Sequence, residues 1–194
     1  MSQPEISNQQ SVTLKSRRLL LGVSGSIAAY KAAALTRLLV KAGAEVQIIL
    51  TEAATAFVTP LTLGTLSKKP VLTGFLRDAA SGQWHNHVEL GLWAEAYVIA
   101  PASANTIGQL ANGLCPNLLS AVYLSARCPV FLAPAMDLDM YTHPAVTQNI
   151  QRLRSFGNHI FDSPSGELAS GLAGPGRMLE PEQIVAELEK FFVR

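Results

Sequence analysis

The sequence predicts an α/β fold in which a mainly parallel sheet is covered by helices on both faces. Three observations carry that expectation. Short, almost wholly apolar runs recur along the chain, at residues 19–21, 45–50, 96–100 and 129–133, as strands buried on both faces do. Stretches with apolar residues three and four apart lie between them. Strands alternating with helices are the pattern of a parallel sheet.

The first run, Leu19 to Leu21, leads into Gly22-Val23-Ser24-Gly25-Ser26. Ile27 then opens a helix whose apolar stripe reads as Ile27, Tyr30, Ala34 and Leu38, widened by Leu35 and Leu39. Gly43, just after Lys41, stops it. The two loop glycines let the backbone approach a ligand, Ser24 and Ser26 offer hydroxyls, and the free N–H groups of the helix start favour an anion. The loop reads as a phosphate cradle, against the plainer reading of a tight turn without a ligand. Its spacing is not GxGxxG, the second strand ends at Thr51 rather than at an acid, and GxxxxGK[ST] is absent. A dinucleotide or P-loop nucleotide is therefore disfavoured, and a mononucleotide or another phosphorylated ligand remains.

Residues 45–50 form the second strand, and Thr51 is a possible cap for a helix start at 51–54. Pro60 restarts a helix through Leu66, and residues 71–75 read as a third strand. Residues 79–86 form a polar loop running into a helical turn at 87–90. The strand at 96–100 is ended by Pro101; Ser103 caps a helix through Leu110 that Gly113 ends. Helical patterns follow at 117–126 and 144–156, with a strand at 129–133 between them and an edge strand at 159–161. Glycine, proline and small residues across 163–178 read as a mobile flap. Pro181 suits the first turn of a terminal helix, 182–193.

The 194 residues bound one domain, 17–194, behind a loose polar tail, 1–16. Hydrophobic residues make up 48% and charged residues 15%, too few charges to cover a monomer, so apolar surface buried between subunits is expected. A net charge of +1 without a basic stripe disfavours nucleic acid and anionic membranes. Cys115 and Cys128 lack metal spacing and fit a reducing compartment. No apolar run is long enough for a membrane span, and the first 16 residues lack a signal-peptide core. A cytoplasmic, soluble protein is expected.

Ligands of such sheets sit beyond the carboxyl ends of the strands, which directs attention to loops 22–26, 51–57, 101–106 and 134–141. In the third, small residues admit a ligand while Ser103, Asn105 and Thr106 offer hydrogen bonds, although capping by Ser103 needs no ligand. His85 and His87 are candidate acid–base groups. With Asp137, Asp139 and His143 they match no standard metal pattern, and no metal is expected. Met136 and Met140 share one side of a helical turn, which suits core packing or a site.

In order, GVSGSIAAYK, TEAATAFVTP, HVEL, APASANTIGQLANG, PAMDLDMY and GELASGLAGPGRM resemble the homo-oligomeric flavin-containing cysteine decarboxylases, and most nearly the phosphopantothenoylcysteine decarboxylases. The resemblance covers nearly everything from Leu19 onward. It implies a three-layer Rossmann-like fold, FMN as cofactor at a subunit boundary, and trimers or assemblies of trimers. The implied reaction is decarboxylation of 4′-phosphopantothenoylcysteine to 4′-phosphopantetheine in coenzyme A biosynthesis, through oxidation of the cysteine thiol and a reductive return step. A phosphopantothenoylcysteine synthetase, fused or separate, is the implied partner. By the same resemblance, Ser24, Gly25 and Ser26 bind phosphate with Thr51 beside them, and Phe57 packs near the flavin ring. Ser103, Ala104 and Asn105 hold the flavin, and His87 is the active-site histidine. Met136, Met140 and the flap hold the substrate's cysteine end.

Two positions depart from the family: Asp137 stands where asparagine is usual, and Ser170 where the flap has a cysteine. Asp137 would then need protonation or a cation such as Arg177 beside a substrate carboxylate. Ser170 is a weaker acid than a thiol and a poor proton donor. Alternative readings are an oxidative peptidyl-cysteine-type decarboxylase that stops at the enethiol, a non-catalytic flavin-binding subunit, and a flavin prenyltransferase.

Overall fold

The computed structural model describes residues 14–78 and 80–193. Packing begins with a turn at residues 14–16, inside the expected tail: Leu14 is fully buried, and Ser16 N donates to Gly43 O at 2.9 Å. The rest of that tail lies outside the described residues.

Strand β1 (Arg18–Val23) is followed by a 3-10 turn (Ile27–Tyr30) and helix α1 (Lys31–Lys41). After β2 (Glu45–Leu50) come a second 3-10 turn (Glu52–Ala56), α2 (Pro60–Ser67), the paired strands β3 (Leu76–Asp78) and β4 (Gln83–Trp84), and α3 (His87–Trp93). The chain continues through β5 (Ala96–Ala102), α4 (Ala104–Ala111), α5 (Leu118–Ser125), β6 (Val130–Pro134), α6 (Leu138–Thr142) and α7 (Pro144–Ser155). It closes with β7 (His159–Ile160), a hairpin of β8 (Gly166–Glu167) and β9 (Ala173–Gly174), and α8 (Pro181–Val193).

Five strands form one sheet in the order β2-β1-β5-β6-β7, every neighbouring pair parallel. Alternation along the strands splits the core in two. Leu19, Leu21 and Val23 join Ile48 against Leu35 and Leu39 of α1 and Ile184 and Leu188 of α8. Leu20, Tyr97 and Ile99 face the other way, against Ile107 of α4, Leu119 of α5 and Leu153 of α7. The expected three-layer architecture is what forms.

Local expectations needed correction. Ile27 and Tyr30 are 61% and 62% exposed and Ala34 also faces outward; the buried face of the first helical segment is Ala28, Ala32, Leu35 and Leu39. The first four helical residues wind as a 3-10 turn, so their phase differs from the α-helix that follows. Residues 71–75 make no strand. Leu72 alone bridges to β2, exchanging hydrogen bonds with Ile48 O and Leu50 N. The loop at 79–86 contains β4, though Ala79 is outside the described residues. β5 runs through Pro101 to Ala102, and Thr51 precedes a 3-10 turn without capping it through its side chain.

Candidate functional site

In the sheet order β1 and β5 are neighbours whose onward connections run to opposite sides, to β2 and to β6, and so open a crevice at the strands' carboxyl ends. A cavity of about 990 Å³ occupies that crevice. All four loops singled out by the strand-end rule contribute to its wall, through Gly25 and Ser26, Thr51, Ser103–Thr106, and Met136 with Asp137. The β8–β9 hairpin adds Glu167, Leu168 and Ala169.

Gly25 is required by close approach. A Cβ there would stand 2.7 Å from the Cβ of Ala53, so only glycine lets the loops after β1 and β2 meet. Ser26 caps the following turn, accepting from Ala28 N at 3.3 Å, and donates to Ala135 O at 3.4 Å. Beside it Thr51 is 9% exposed, and its buried Oγ1 has no hydrogen-bond partner. Leaving such a hydroxyl unsatisfied costs about 1–3 kcal/mol, which a bound oxygen-rich group would offset. Across the crevice Ser103 caps α4, accepting from Thr106 N at 3.3 Å. Asn105 Oδ1 accepts from Gln109 Nε2 at 3.2 Å, which leaves its amide hydrogens for a ligand.

Ser24 behaves differently from its expected role. It is 1% exposed and off the cavity wall; its Oγ donates to Pro101 O at 2.8 Å and accepts from Ser103 N at 2.9 Å. Both capacities are spent stitching the first loop to the third. Ser24 shapes the cradle and does not face a ligand.

On the opposite rim Asp137 caps α6, its Oδ1 accepting from Leu138 N at 2.6 Å. Met136 and Met140 both line the cavity. The flap reading is corrected in part: residues 163–178 contain the β8–β9 hairpin, and its C-terminal root is packed. Gly176, at φ +134°, lies so close to Met136 O that no Cβ would fit, and its own carbonyl accepts from Met136 N at 3.0 Å. Met178 is 1% exposed. Arg177 reaches Glu180 at 3.4 Å and Lys31 reaches the same oxygen at 2.7 Å. Of the two expected ways of managing the Asp137 charge, pairing with Arg177 is not seen; the guanidinium meets Glu180. Ser170 sits exposed at the hairpin tip, its Oγ accepting from Leu172 N at 3.4 Å, outside the cavity wall.

His87 begins α3 behind the Asn86 cap, half-buried, its ring 5.8 Å from that of Trp84 and its buried Nδ1 without a partner. Neither His87 nor Phe57, which is 45% exposed, lines this chain's cavity. Sequence reasoning missed Lys31, Gln109 and Asn117 on the wall. Asn117 had a signal: with Ser120 it forms a reciprocal capping box. Lys31 lies one turn past the cradle, and Gln109 one turn past Asn105. Among the described residues no cluster of three His, Cys, Asp or Glu side chains could hold a metal ion, so His85, His87, Asp137, Asp139 and His143 are not brought together as ligands.

These features define an α/β protein whose strand-end cavity is walled by a glycine–serine loop, an unpartnered buried hydroxyl and a helix start. The chain belongs to the flavoprotein family, whose model matches residues 7–193. A cysteine/cysteine sulfinic acid decarboxylase from an unknown prokaryotic organism is 61% identical over 135 residues, covering 70% of this chain and 37% of that protein. The coenzyme A biosynthesis bifunctional protein CoaBC of Vibrio vulnificus is 46% identical over 180 residues, covering 93% and 45%. The chain thus spans less than half the length of these curated relatives. A cysteine-to-serine mutant of PPC decarboxylase, solved with pantothenoylaminoethenethiol, superposes with a TM-score of 0.82 at 34% identity over 93% of this chain and 100% of that one. The FMN-dependent cysteine decarboxylase SpaF superposes with a TM-score of 0.77 at 26% identity over 93% and 99%.

Proposed function

We propose that the protein is an FMN-dependent decarboxylase, a carbon–carbon lyase that converts 4′-phosphopantothenoylcysteine to 4′-phosphopantetheine in coenzyme A biosynthesis. The observation that carries this reading is the strand-end cavity, in which the Gly25–Ser26 cradle and the orphaned Thr51 hydroxyl face the Ser103–Asn105 helix start. Phosphate suits the former group and a planar ring the small residues of the latter. Gly25, Ser26 and Thr51 would hold the FMN phosphate, and Ser103, Ala104 and Asn105 the ring. Bound FMN supplies two-electron chemistry at the carbon bearing the substrate thiol.

The chain's own residues handle binding, water and protons. Met136, Met140 and the hairpin's Leu168 and Ala169 form an apolar cover that shields the cysteine end from water. Arg177, on the wall at the hairpin root, would meet an anionic group of the substrate only by leaving Glu180. His87, as a neutral imidazole, would take the proton released on oxidation. Since His87 and Phe57 lie off this chain's cavity, we assign both to the cavity of a neighbouring subunit in a homotrimer or assembly of trimers. Ser170 is close enough along the hairpin to move with the cover, yet a hydroxyl returns a proton poorly. A synthetase acting before this step, fused or separate, is the proposed partner. The proposed setting is the cytoplasm, where Cys115 and Cys128, both free, stay reduced; among the described residues no helix is long and apolar enough to cross a membrane.

The enethiol-forming and non-catalytic alternatives are not favoured, given the likeness to CoaBC at 46% identity and to PPC decarboxylase at 34%. The test is purification followed by flavin quantification and product analysis. One FMN per chain, with carbon dioxide and 4′-phosphopantetheine released from 4′-phosphopantothenoylcysteine, is expected. A protein that cannot be loaded with FMN, or one that releases no carbon dioxide, overturns the reading.

A further inference from the structure

We infer that Asp137 reads the nitrogen on the substrate's reacting residue, and that the cavity accepts thiol amino acids with a free α-ammonium as well as N-acylated ones. The inference rests on the decarboxylase reading above and names a substrate class for the same site.

Charge bookkeeping around the cavity motivates it. Two cations line the wall, Lys31 and Arg177, and Glu180 engages both, at 2.7 Å and 3.4 Å. Three acids line it as well, Glu52, Asp137 and Glu167, and among the described residues no ion pair reaches any of them. The wall is therefore short of available positive charge on the rim where Asp137 stands. Asp137 Oδ1 is occupied by Leu138 N at 2.6 Å, and among the described residues no other hydrogen bond or ion pair reaches its carboxylate.

A carboxylate only accepts hydrogen bonds. A thiol-bearing amino acid offers it three kinds of group: a carboxylate, which it repels, a weakly donating thiol, and the α-nitrogen. The nitrogen is the favourable partner. When acylated it gives one neutral N–H; when free it is an ammonium, whose charge-assisted bonds are about twice as strong. Asp137 is partly buried, so the charge difference is screened less than in bulk water. Asp137 thus favours the free ammonium, while its acceptance of an amide N–H keeps the acylated substrate admissible.

Serine derivatives test this without turnover, because their hydroxyl cannot follow the thiol's redox chemistry. On FMN-loaded protein, dissociation constants for L-serine and N-acetyl-L-serine are measured by ligand-observed NMR. L-serine should bind about tenfold tighter or more, the scale of a hydrogen bond to a charged group. Asp137→Asn, which keeps the α6 cap because asparagine caps as well as aspartate, should bring the two within about threefold as that charge-assisted bond is lost. Glu167→Gln removes an equal charge from the hairpin and should keep the preference. Wild type without preference, wild type binding neither ligand, a preference surviving Asp137→Asn, or its equal loss in Glu167→Gln each overturns the inference. Carbon dioxide release from 4′-phosphopantothenoylcysteine by the same preparation separates the two failures. Release without a nitrogen preference sinks only this inference; no release sinks the decarboxylase reading itself.

Discussion

Thr51 shows how a single hydroxyl can be costly to the empty fold and useful to the filled one. Its Oγ1 is buried and unpartnered on the cavity wall, so replacing it with an apolar group of the same shape removes a desolvation cost. Thr51→Val should therefore leave the melting temperature of the FMN-free protein unchanged or higher. The same change should weaken FMN binding about 2- to 10-fold, the worth of one ordinary hydrogen bond. Calorimetric melts and FMN titrations check both halves, and a variant that loses apo stability would show that the hydroxyl is satisfied without ligand. At this scale the sequence was partly readable. Ser24 and Ser26 are equivalent as letters two apart in one loop, but only Ser26 borders the cavity, because the third loop's Pro101 carbonyl and Ser103 amide capture Ser24. Which serine meets a distant loop depends on contacts 77 and 79 residues away in sequence, and no local pattern encodes those.

Among the elements, the hairpin is anchored at one end and exposed at the other. Gly176 has no room for a Cβ against Met136 O and holds a φ of +134°, strained for any other residue. Gly176→Ala should detach the hairpin root, raise cleavage within residues 163–178 under limited proteolysis, and cut carbon dioxide release at least about tenfold by admitting water; unchanged proteolysis and turnover would show that the root does not position the cover. The composition of this stretch made a flap legible, whereas its root was not, since Met178 reaches the core and Lys31 finds Glu180 only in three dimensions. Helix α1 was legible in part: Leu35 and Leu39 of the expected stripe are fully buried. Alanines and leucines populate both of its sides, however, and the opening 3-10 turn shifts the phase, so periodicity also took in the exposed Ile27, Tyr30 and Ala34. Between strands, Glu95 binds the start of β1: Arg17 Nη1 lies 2.8 Å from its Oε1, and Arg18 N donates to Oε2 at 2.9 Å. The Arg18 backbone bond and then Arg17 hold its carboxyl below the ordinary value of 4.5. A lowered pKa in the folded state adds stability above the unfolded value and loses it as pH falls through the folded one. Glu95→Gln should accordingly lower the melting temperature at pH 7 and make little difference at pH 3. An equal loss at both would assign the contribution to shape instead of charge.

For the whole molecule, the parallel sheet was readable from its apolar runs because the central strands β1, β5 and β6 are buried on both faces, and the strand-end rule then located the cavity without any contact information. On the function proposed above, a second copy of the chain completes the site. His87 and Phe57 stand off the cavity, as expected if a second copy packs against it and lends the missing groups, while Ile27 and Tyr30 expose apolar surface on the cavity wall itself. Two defective variants can test this together. Gly25→Val should lose FMN, since the added carbons collide with Ala53, while keeping its own His87. His87→Asn should keep FMN yet fail to bleach it anaerobically with substrate. Each alone is inactive. When the two are unfolded, mixed in equal amounts and refolded with FMN, a site shared between neighbouring subunits regains both intact halves by chance in about a quarter of cases, because each half is drawn independently from a symmetric assembly. Activity near a quarter of wild type, appearing only in the mixture, is the expected result. A mixture as inactive as its components would place His87 and the FMN cradle in the same subunit's site, and the shared-site assignment would then be wrong.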